Sequence, residues 1–178
     1  TRHSAGAGFG IQTAAVTAGG YSPPRTADSE EYDGTSWTEG NNLNTARSSM
    51  RGSGTATAGL TGGGYDGSPA GETEEYDGTS WSEQNDIPSS LNGMMGAGTQ
   101  TAAVHFGGIA TPGGSSSTGT LEYDGTNWTS GGALPTAAKY GIGVGTQTAA
   151  LHAGGGALGS YYYNGTSTTT GSVAYTTG

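Results

Sequence analysis

Three groups of acidic side chains stand at matching places along the chain, where they could carry out acid–base chemistry. They are Glu30, Glu31 and Asp33; Glu74, Glu75 and Asp77; and Glu122 with Asp124. Paired carboxylates are the catalytic groups of most glycoside hydrolases. Here the same carboxylates return in three copies of one phrase, whereas an active site rarely occurs once per repeat. We therefore interpret them as solvated strand faces and hairpin turns, and we expect no catalytic residue.

Two histidines are the second candidate for chemistry. His105 and His152 occupy the same position in consecutive repeats, so the two rings could approach one another. Imidazole is a common metal ligand. Thr17 and Thr61 fill that position in the first two repeats, however, which favours a side-chain hydrogen bond over a metal. We predict no metal site.

Composition excludes several further classes of function. The 178 residues contain no Cys, and five Lys and Arg stand against fourteen Asp and Glu, for a net charge of −9. Without Cys there is neither a disulfide nor a thiolate metal site, and no phosphate-binding or nucleophile motif is present, so we expect no cofactor. The acidic surface should repel nucleic acid. No apolar run approaches the ~20 residues that span a bilayer, so membrane insertion is not expected.

The elements that position these residues repeat along the chain. "EEYDGTSW" occurs at 30–37 and again at 74–81, "EYDGTNW" occurs at 122–128, and a changed copy, "YYNGTST", occurs at 162–168. A second phrase, "TAAVTAGG" in its first copy, alternates with the first. Intervals of this length indicate stacked supersecondary units. The chain divides into units at about 1–45, 46–90, 91–136 and 137–178.

Each unit reads as four short strands, which we call A to D in chain order. No helical period occurs, a glycine pair ends strand B, and Asp-Gly or Asn-Gly begins a tight turn between strands C and D. We treat 1–178 as a single domain. Its start at Thr1, without Met, favours a piece of a longer protein.

These motifs resemble the kelch repeat, in which a glycine pair, a variable loop, an acidic-Tyr-Asp-Gly phrase and a Trp follow in this order. The sequence of these motifs is also similar to kelch-like arrays in structural proteins of marine bacteriophages. The resemblance implies an all-β fold, a β-propeller of four kelch-like four-stranded antiparallel blades. Unit four has Thr168 where Trp belongs, so its last strand is the least secure, and we expect it within "SVAYTTG". The structural residues are Gly19, Gly20, Tyr32 and Trp37; Gly63, Gly64, Tyr76 and Trp81; Gly107, Gly108, Tyr123 and Trp128; and Gly154, Gly155 and Tyr163.

The resemblance also predicts how the units pack. We expect the three Trp residues to be buried between blades, beside the aliphatic residues six positions later, Leu43, Ile87 and Leu134. Unit four should be the least stable blade, and its contact with unit one should be weak. We therefore expect other subunits, or further segments of the parent assembly, to cover bare blade edges.

Loops that vary between otherwise similar units are the candidate binding surface. They span 21–29, 65–73, 109–120 and 156–160, and Tyr21, Arg25 and Tyr65 offer contacts for a glycan or a protein. We predict a noncatalytic structural or binding module, exposed on a virion or an extracellular surface. The alternative is an intracellular kelch-type protein-interaction adaptor, and an enzyme ranks third.

Overall fold

Sixteen β-strands in four sheets make up the described part of the chain, and no helix occurs there. The structure is a computed structural model that describes residues 6–110, 113–155 and 159–171. Each sheet has four antiparallel strands, hydrogen-bonded in chain order. Each sheet falls within one sequence unit, so we number the sheets one to four. Within these residues no helix is long and apolar enough to cross a membrane.

The strands are short, between three and eight residues each. Sheet one contains β1 (Ala7–Ile11), β2 (Ala14–Tyr21), β3 (Arg25–Tyr32) and β4 (Trp37–Glu39). Sheet two contains β5 (Arg51–Thr55), β6 (Ala58–Gly62), β7 (Thr73–Tyr76) and β8 (Trp81–Gln84). Sheet three contains β9 (Met95–Thr99), β10 (Ala102–Phe106), β11 (Thr120–Tyr123) and β12 (Trp128–Ser130). Sheet four contains β13 (Ile142–Thr146), β14 (Ala149–Ala153), β15 (Ser160–Tyr163) and β16 (Thr168–Gly171). The last strand therefore precedes the predicted "SVAYTTG", which lies outside the described residues.

The repeated Asp-Gly phrase builds the turn between the third and fourth strand of each sheet. In sheet one, Asp33 Oδ1 accepts hydrogen bonds from the backbone N–H groups of Ser36 and Thr35, both at 2.8 Å. These N–H groups hold the pKa of the Asp33 carboxyl below its usual range. Gly34 has a φ of 94°, which a glycine adopts without strain. The turn recurs at Asp77, Asp124 and Asn164.

Each sheet presents two different faces, because side chains alternate along a strand. We call one the aromatic face; it carries the Tyr of the third strand and, in sheets one to three, the Trp of the fourth. We call the other the aliphatic face; it carries one large aliphatic residue of the second strand, namely Val16, Leu60, Val104 or Leu151 in sheets one to four. The aliphatic face of one sheet packs on the aromatic face of the next, forming three hydrophobic clusters.

The four sheets fan out from their first strands. β5 lies beside both β1 and β9, and β13 lies beside β9. The fourth strands of neighbouring sheets do not pack together in this way within the described residues. Nor does any comparable packing join β13 to β1 in that part of the chain. Sheets one and four therefore each have one neighbour, and sheets two and three have two.

The tryptophans follow this arrangement, which corrects part of the packing prediction. Trp81 and Trp128 are 7% and 6% exposed, but Trp37 is 51% exposed because, among the described strands, no sheet covers the aromatic face of sheet one. Leu43 was expected beside Trp37; it belongs instead to the cluster of Trp81 in the next sheet. Ile87 is likewise in the cluster of Trp128. Each aliphatic residue thus serves the next unit, because it lies on the aliphatic side of its own sheet.

In sheets two to four, the tyrosine of the third strand also reaches back to the preceding sheet. Tyr123 donates a hydrogen bond of 3.0 Å to Glu75 Oε1. The hydroxyls of Tyr76 and Tyr163 donate in the same way to Glu31 and Glu122. Burial, then the hydrogen bond to Glu122, raises the pKa of Tyr163 to about 12, and the same causes raise the pKa of Tyr76 and Tyr123. These tyrosines therefore remain protonated donors across the neutral range.

The acceptors in these bonds were predicted to be solvated, but they are half-buried and each accepts a hydrogen bond from the next sheet. Glu31, Glu75 and Glu122 each stand one residue before the tyrosine of their own sheet. Their side chains point to the aliphatic face, where the next sheet partly covers them. One repeated Glu-Tyr pair thus supplies both the acceptor for the following unit and the donor to the preceding one.

A buried ion pair reinforces the junction between sheets one and two. Arg47 donates to Glu74 Oε1 at 2.7 Å, and the two side chains are 0% and 1% exposed. Arg47 also donates to the carbonyl oxygens of Gly63 and Glu72, at 2.5 and 2.7 Å. Asn44 donates to Glu74 Oε2 from its backbone and its amide. Glu74, too, is therefore structural rather than solvated.

Candidate functional site

The three residues predicted to bind a ligand come together on one loop face. The guanidinium carbon of Arg25 lies 4.5 Å from the ring centroid of Tyr65 and 5.5 Å from that of Tyr21. A guanidinium at these distances is attracted by the electron-rich ring faces. Arg25 also donates to the carbonyl oxygen of Asp66 at 3.4 Å. The cluster joins sheets one and two and leaves Tyr21 46% exposed.

The loop that carries Tyr21 is shorter than predicted. β2 extends to Tyr21 and β3 begins at Arg25, so these two residues pair directly across the hairpin. Only 22–24 connect the strands, where a loop had been expected over 21–29. Strand pairing fixes the separation of Tyr21 and Arg25, which explains why their side chains meet.

Tyr65 is held by the glycine pair that precedes it. Gly63 and Gly64 have φ of 66° and 114°, a region in which other residues are strained. Tyr65 then exchanges two backbone hydrogen bonds with Ser48, of 2.7 and 2.9 Å. The ring of Tyr65 therefore projects from fixed backbone rather than from a free loop. The pair Gly107 and Gly108 repeats this conformation before Ile109, which is bonded to Asn92.

The links that lead into the first strands contain backbone strain. Ser49 and Tyr140 have φ of 56° and 59°, and they are the described non-glycine residues with positive φ. Both stand two residues before a first strand, in the position where sheet three has Gly93, with φ of 66°. Gly93 accepts a hydrogen bond from Tyr140 N–H and donates one to Ser49, at 2.8 and 2.9 Å. The three links therefore lie side by side, and two of them keep a side chain where glycine would be relaxed.

These links border a cleft of about 220 Å³ on the same face as the arginine cluster. Its lining combines two phenol rings, a hydroxyl, an amide and an aliphatic side chain. Tyr140 is 54% exposed, and its hydroxyl donates to Asn92 Oδ1 at 3.2 Å. The cleft is smaller than the ~300–1,000 Å³ typical of pockets for drug-sized ligands. It therefore suits a single ring or side chain. The lining residues are Ser49, Tyr65, Asn92, Ile109, Gly113 and Tyr140.

The two histidines are packing residues. His105 is 0% exposed, with its ring centroid 4.8 Å from that of Trp128, and His152 stacks on Tyr161 at 5.6 Å. Neither nitrogen of His105 has a hydrogen-bond partner, and neither does Thr61 Oγ1, so the predicted hydrogen bond is wrong for these two residues, although Thr17 makes one in the same position. Among the described residues no group of three or more His, Asp or Glu side chains could hold a metal ion.

Burial changes the protonation of these rings. Desolvation, with the positive charge of Arg51 nearby, lowers the pKa of His105 to about 4. Desolvation also lowers the pKa of His152. Both imidazoles are therefore neutral at pH 7.

Sequence reasoning missed Ser49, Asn92 and Tyr140. The signal was weak, because Ser49 and Tyr140 stand at a position where one other unit, the third, has a glycine, Gly93. The remaining candidate loops are described only in part, since 111–112 and 156–158 lie outside the described residues.

Comparison of the sequence with models of known protein families, and with curated proteins, found no match to either.

Proposed function

We propose that the protein is a noncatalytic binding module that recognises a glycan through the face formed by Tyr21, Arg25, Tyr65 and the adjoining cleft. One observation carries the proposal: two side chains remain at strained positive φ, and both line this cleft. Strain of this kind costs about 1–3 kcal/mol per residue and clusters at functional sites. Glycine at both positions would remove it, as Gly93 does between them.

The chemistry of the face supports a sugar as the ligand. Tyr65 and Tyr140 offer flat apolar rings and Ser49 offers a hydroxyl within the same cleft, while the buried Asn92 holds the Tyr140 hydroxyl. A mainly apolar surface with a few placed polar groups is typical of small-ligand sites. The backbone hydrogen bonds of Tyr65 and Tyr140 fix these rings before a ligand arrives, which lowers the entropic cost of binding.

The fan of four-stranded sheets supports a kelch-like propeller as the architecture. Four-stranded antiparallel sheets that repeat along the chain, with their first strands as neighbours, favour radially arranged blades. In this proposal the module is an exposed part of a virion, as the similarity to bacteriophage arrays suggests, or of an extracellular surface. The carboxylates that would have served an enzyme accept hydrogen bonds between sheets instead, which favours a noncatalytic role.

A glycan array followed by calorimetric titration of the best hit tests the proposal. We expect Tyr65→Ala to reduce affinity at least about tenfold. We expect Tyr140→Gly to do the same while leaving the denaturation midpoint unchanged or raised, because glycine relaxes the backbone there. Loss of binding without loss of stability would separate a ligand contact from a structural residue.

Tyr162→Ala is the matched control, since Tyr162 is 52% exposed and lies in sheet four, away from the cleft lining. Binding that survives both Tyr65→Ala and Tyr140→Gly would overturn the site. A module that captures a protein but no sugar would overturn the ligand class.

A further inference from the structure

The two ends of the row of sheets expose apolar faces that are covered everywhere else. On the aromatic face of sheet one, Trp37 is 51% exposed, against 7% and 6% for Trp81 and Trp128. On the aliphatic face of sheet four, Ile142, Val144 and Tyr162 are 65%, 53% and 52% exposed. In sheet three the positions of Ile142 and Val144 hold Met95 and Ala97, which are 0% and 5% exposed. The exposure therefore arises from position at the ends of the row.

These two faces are the two halves of one junction, which the structure forms three times. At each internal junction an aliphatic face meets an aromatic face. Sheet four offers the first kind of face at one end, and sheet one offers the second kind at the other. The internal junctions therefore show which kind of surface would cover each exposed end: an aromatic face on sheet four, and an aliphatic face on sheet one.

The polar contacts of the junction are also available at the ends. Gln100 Nε2 donates to the carbonyl oxygens of Gly59 and Tyr76 in the preceding sheet, at 3.1 and 3.0 Å. Gln147 repeats the contact, with Ala103 and Tyr123, at 3.0 and 2.7 Å. Gln12 occupies the same position of the first hairpin in sheet one.

We propose that a second copy of this chain docks head to tail, with the aromatic face of its sheet one on the aliphatic face of sheet four. In this contact Val144 takes the place that Phe9 has against Tyr76 and Trp81, and so meets Tyr32 and Trp37 of the second copy. Gln12 of the second copy donates to the carbonyl oxygens of Ala150 and Tyr163, which correspond to those of Ala103 and Tyr123.

One residue makes this junction weaker than the internal ones. Tyr162 stands where Glu31, Glu75 and Glu122 accept the tyrosine of the following sheet. The hydroxyl of Tyr32 therefore meets a phenol rather than a carboxylate. A hydrogen bond to a charged acceptor is stronger than one between neutral groups, so we expect reversible association.

The contact is heterologous, because it joins two different surfaces. Such a contact closes into a ring if the rotation allows it and otherwise continues as a chain. Two copies closed on each other would contain eight sheets, within the range of known propellers.

Sedimentation velocity over a range of protein concentrations, at physiological salt, tests the proposal. We expect the mass to rise with concentration from the 17.5 kDa of one chain to at least twice that value. Trp37→Glu and Val144→Glu should each prevent the ring and reduce the association constant at least about tenfold. An equal mixture of the two variants should still pair one to one through the intact faces and go no further, which an isologous dimer would not do.

Tyr162→Glu supplies a gain of function. It restores the carboxylate of the internal junctions and should tighten association several-fold, and Tyr32→Phe in the same chain should cancel the gain. Ile11→Glu is the control of equal charge, because Ile11 is 67% exposed but lies on the other face of sheet one. Circular dichroism confirms that each variant is folded. A monomer at every concentration, or association that survives both end-face variants, would overturn the proposal.

Discussion

At the scale of single residues, His105 connects packing to pH. Its neutral ring is fully buried against Trp128, and both ring nitrogens lack hydrogen-bond partners. Protonation therefore places an uncompensated charge within a junction between sheets. Thr61 occupies the same position in sheet two, so the fold accepts a smaller side chain there.

This burial predicts a loss of stability in mild acid. The pKa of His105 is about 4 in the folded state, against 6.5 for the free side chain, so the unfolded state takes up the proton first as the pH falls. Stability from this residue is complete above pH 6.5 and falls as the pH drops from 6.5 to 4, by roughly 3 kcal/mol in all. Urea midpoints between pH 7.5 and 4.5 measure it. The slope should become shallower in His105→Thr, and an unchanged slope would contradict the assignment.

The tyrosine that crosses each junction gives a second prediction at this scale. Tyr76→Phe removes the donor to Glu31 and leaves a partly covered carboxylate without it. We expect the free energy of unfolding to fall by about 1.5–3 kcal/mol, the usual value for a hydrogen bond to a charged group. Tyr32→Phe is the control, because within the described residues no sheet packs on the aromatic face that carries Tyr32, and it should change stability by less than about 0.5 kcal/mol. Equal losses in the two variants would argue against a role for the Tyr–Glu bond.

At the scale of elements, two consecutive units fill the same pair of positions with different kinds of side chain. Arg47 and Glu74 form the buried ion pair, and the corresponding positions one unit later are Leu91 and Leu121. Both leucines are buried in the same hydrophobic cluster. The chain therefore has an ion pair at these two positions in unit two and two aliphatic side chains at the corresponding positions in unit three.

We expect the ion pair to be replaceable as a pair but not singly. Arg47→Leu leaves Glu74 buried without its cation and should destabilise the protein by about 3–5 kcal/mol. Adding Glu74→Leu copies the arrangement of the next unit and should recover most of that loss, because a well-packed aliphatic pair avoids the cost of desolvating two charges. Chemical denaturation of the two single variants and the double variant measures the coupling. A double variant no more stable than Arg47→Leu would show that the hydrogen bonds of Arg47 to backbone carbonyls matter more than charge.

The sequence predicts the elements well because their signals are local. Four strands per unit, the Asp-Gly turn and the positive φ of Gly19 and Gly20 follow from short phrases, and the structure has each of them. Contacts between units are not local. Leu43 was assigned to the Trp of its own unit because they are six residues apart, yet the alternation of faces sends it to the next sheet.

The residues of the candidate site could be predicted from the sequence only in part, because some of their signals are local and others are not. Tyr21, Arg25 and Tyr65 stand out as large side chains in variable segments, and they do meet. Ser49 and Tyr140 do not stand out by type. Their importance comes from backbone conformation, which a sequence shows only when the glycine at the same position of another unit is compared.

At the scale of the whole molecule, the described part of the chain is a row of sheets that each pack on their neighbours alone, which divides stability unevenly. The free energy of unfolding of such a row is approximately the sum of the contributions of the individual sheets and of the junctions between them, as in other repeat proteins. Sheets two and three have two junctions each, whereas sheets one and four have one. The interior should therefore be the last part to open.

The same reasoning predicts the consequence of removing a tryptophan. Trp81→Ala empties a site between Phe9 and Tyr76 in a closed junction and should cost about 3–5 kcal/mol. Trp37→Ala removes a half-exposed ring from an end face and should cost less than about 1 kcal/mol. Thermal denaturation of the two variants, at a concentration too low for self-association, compares them. Similar losses would mean that the aromatic face of sheet one is covered in solution.

Hydrogen exchange should identify sheet four as the least stable of the four sheets. Thr168 takes the position of the tryptophan there, so its only junction lacks the largest side chain of the others. Its own aliphatic face is open, with Val144 53% exposed on β13. We expect backbone amides of β14 to exchange about tenfold faster than those of β10, a difference of ~1.4 kcal/mol in opening free energy. The comparison is made on dilute protein, because docking of a second copy would cover β13 of one copy and the aromatic face of sheet one of the other, and so slow exchange in both end sheets. Greater protection of β14 than of β10 under dilute conditions would mean that stability is not set by the number and filling of junctions.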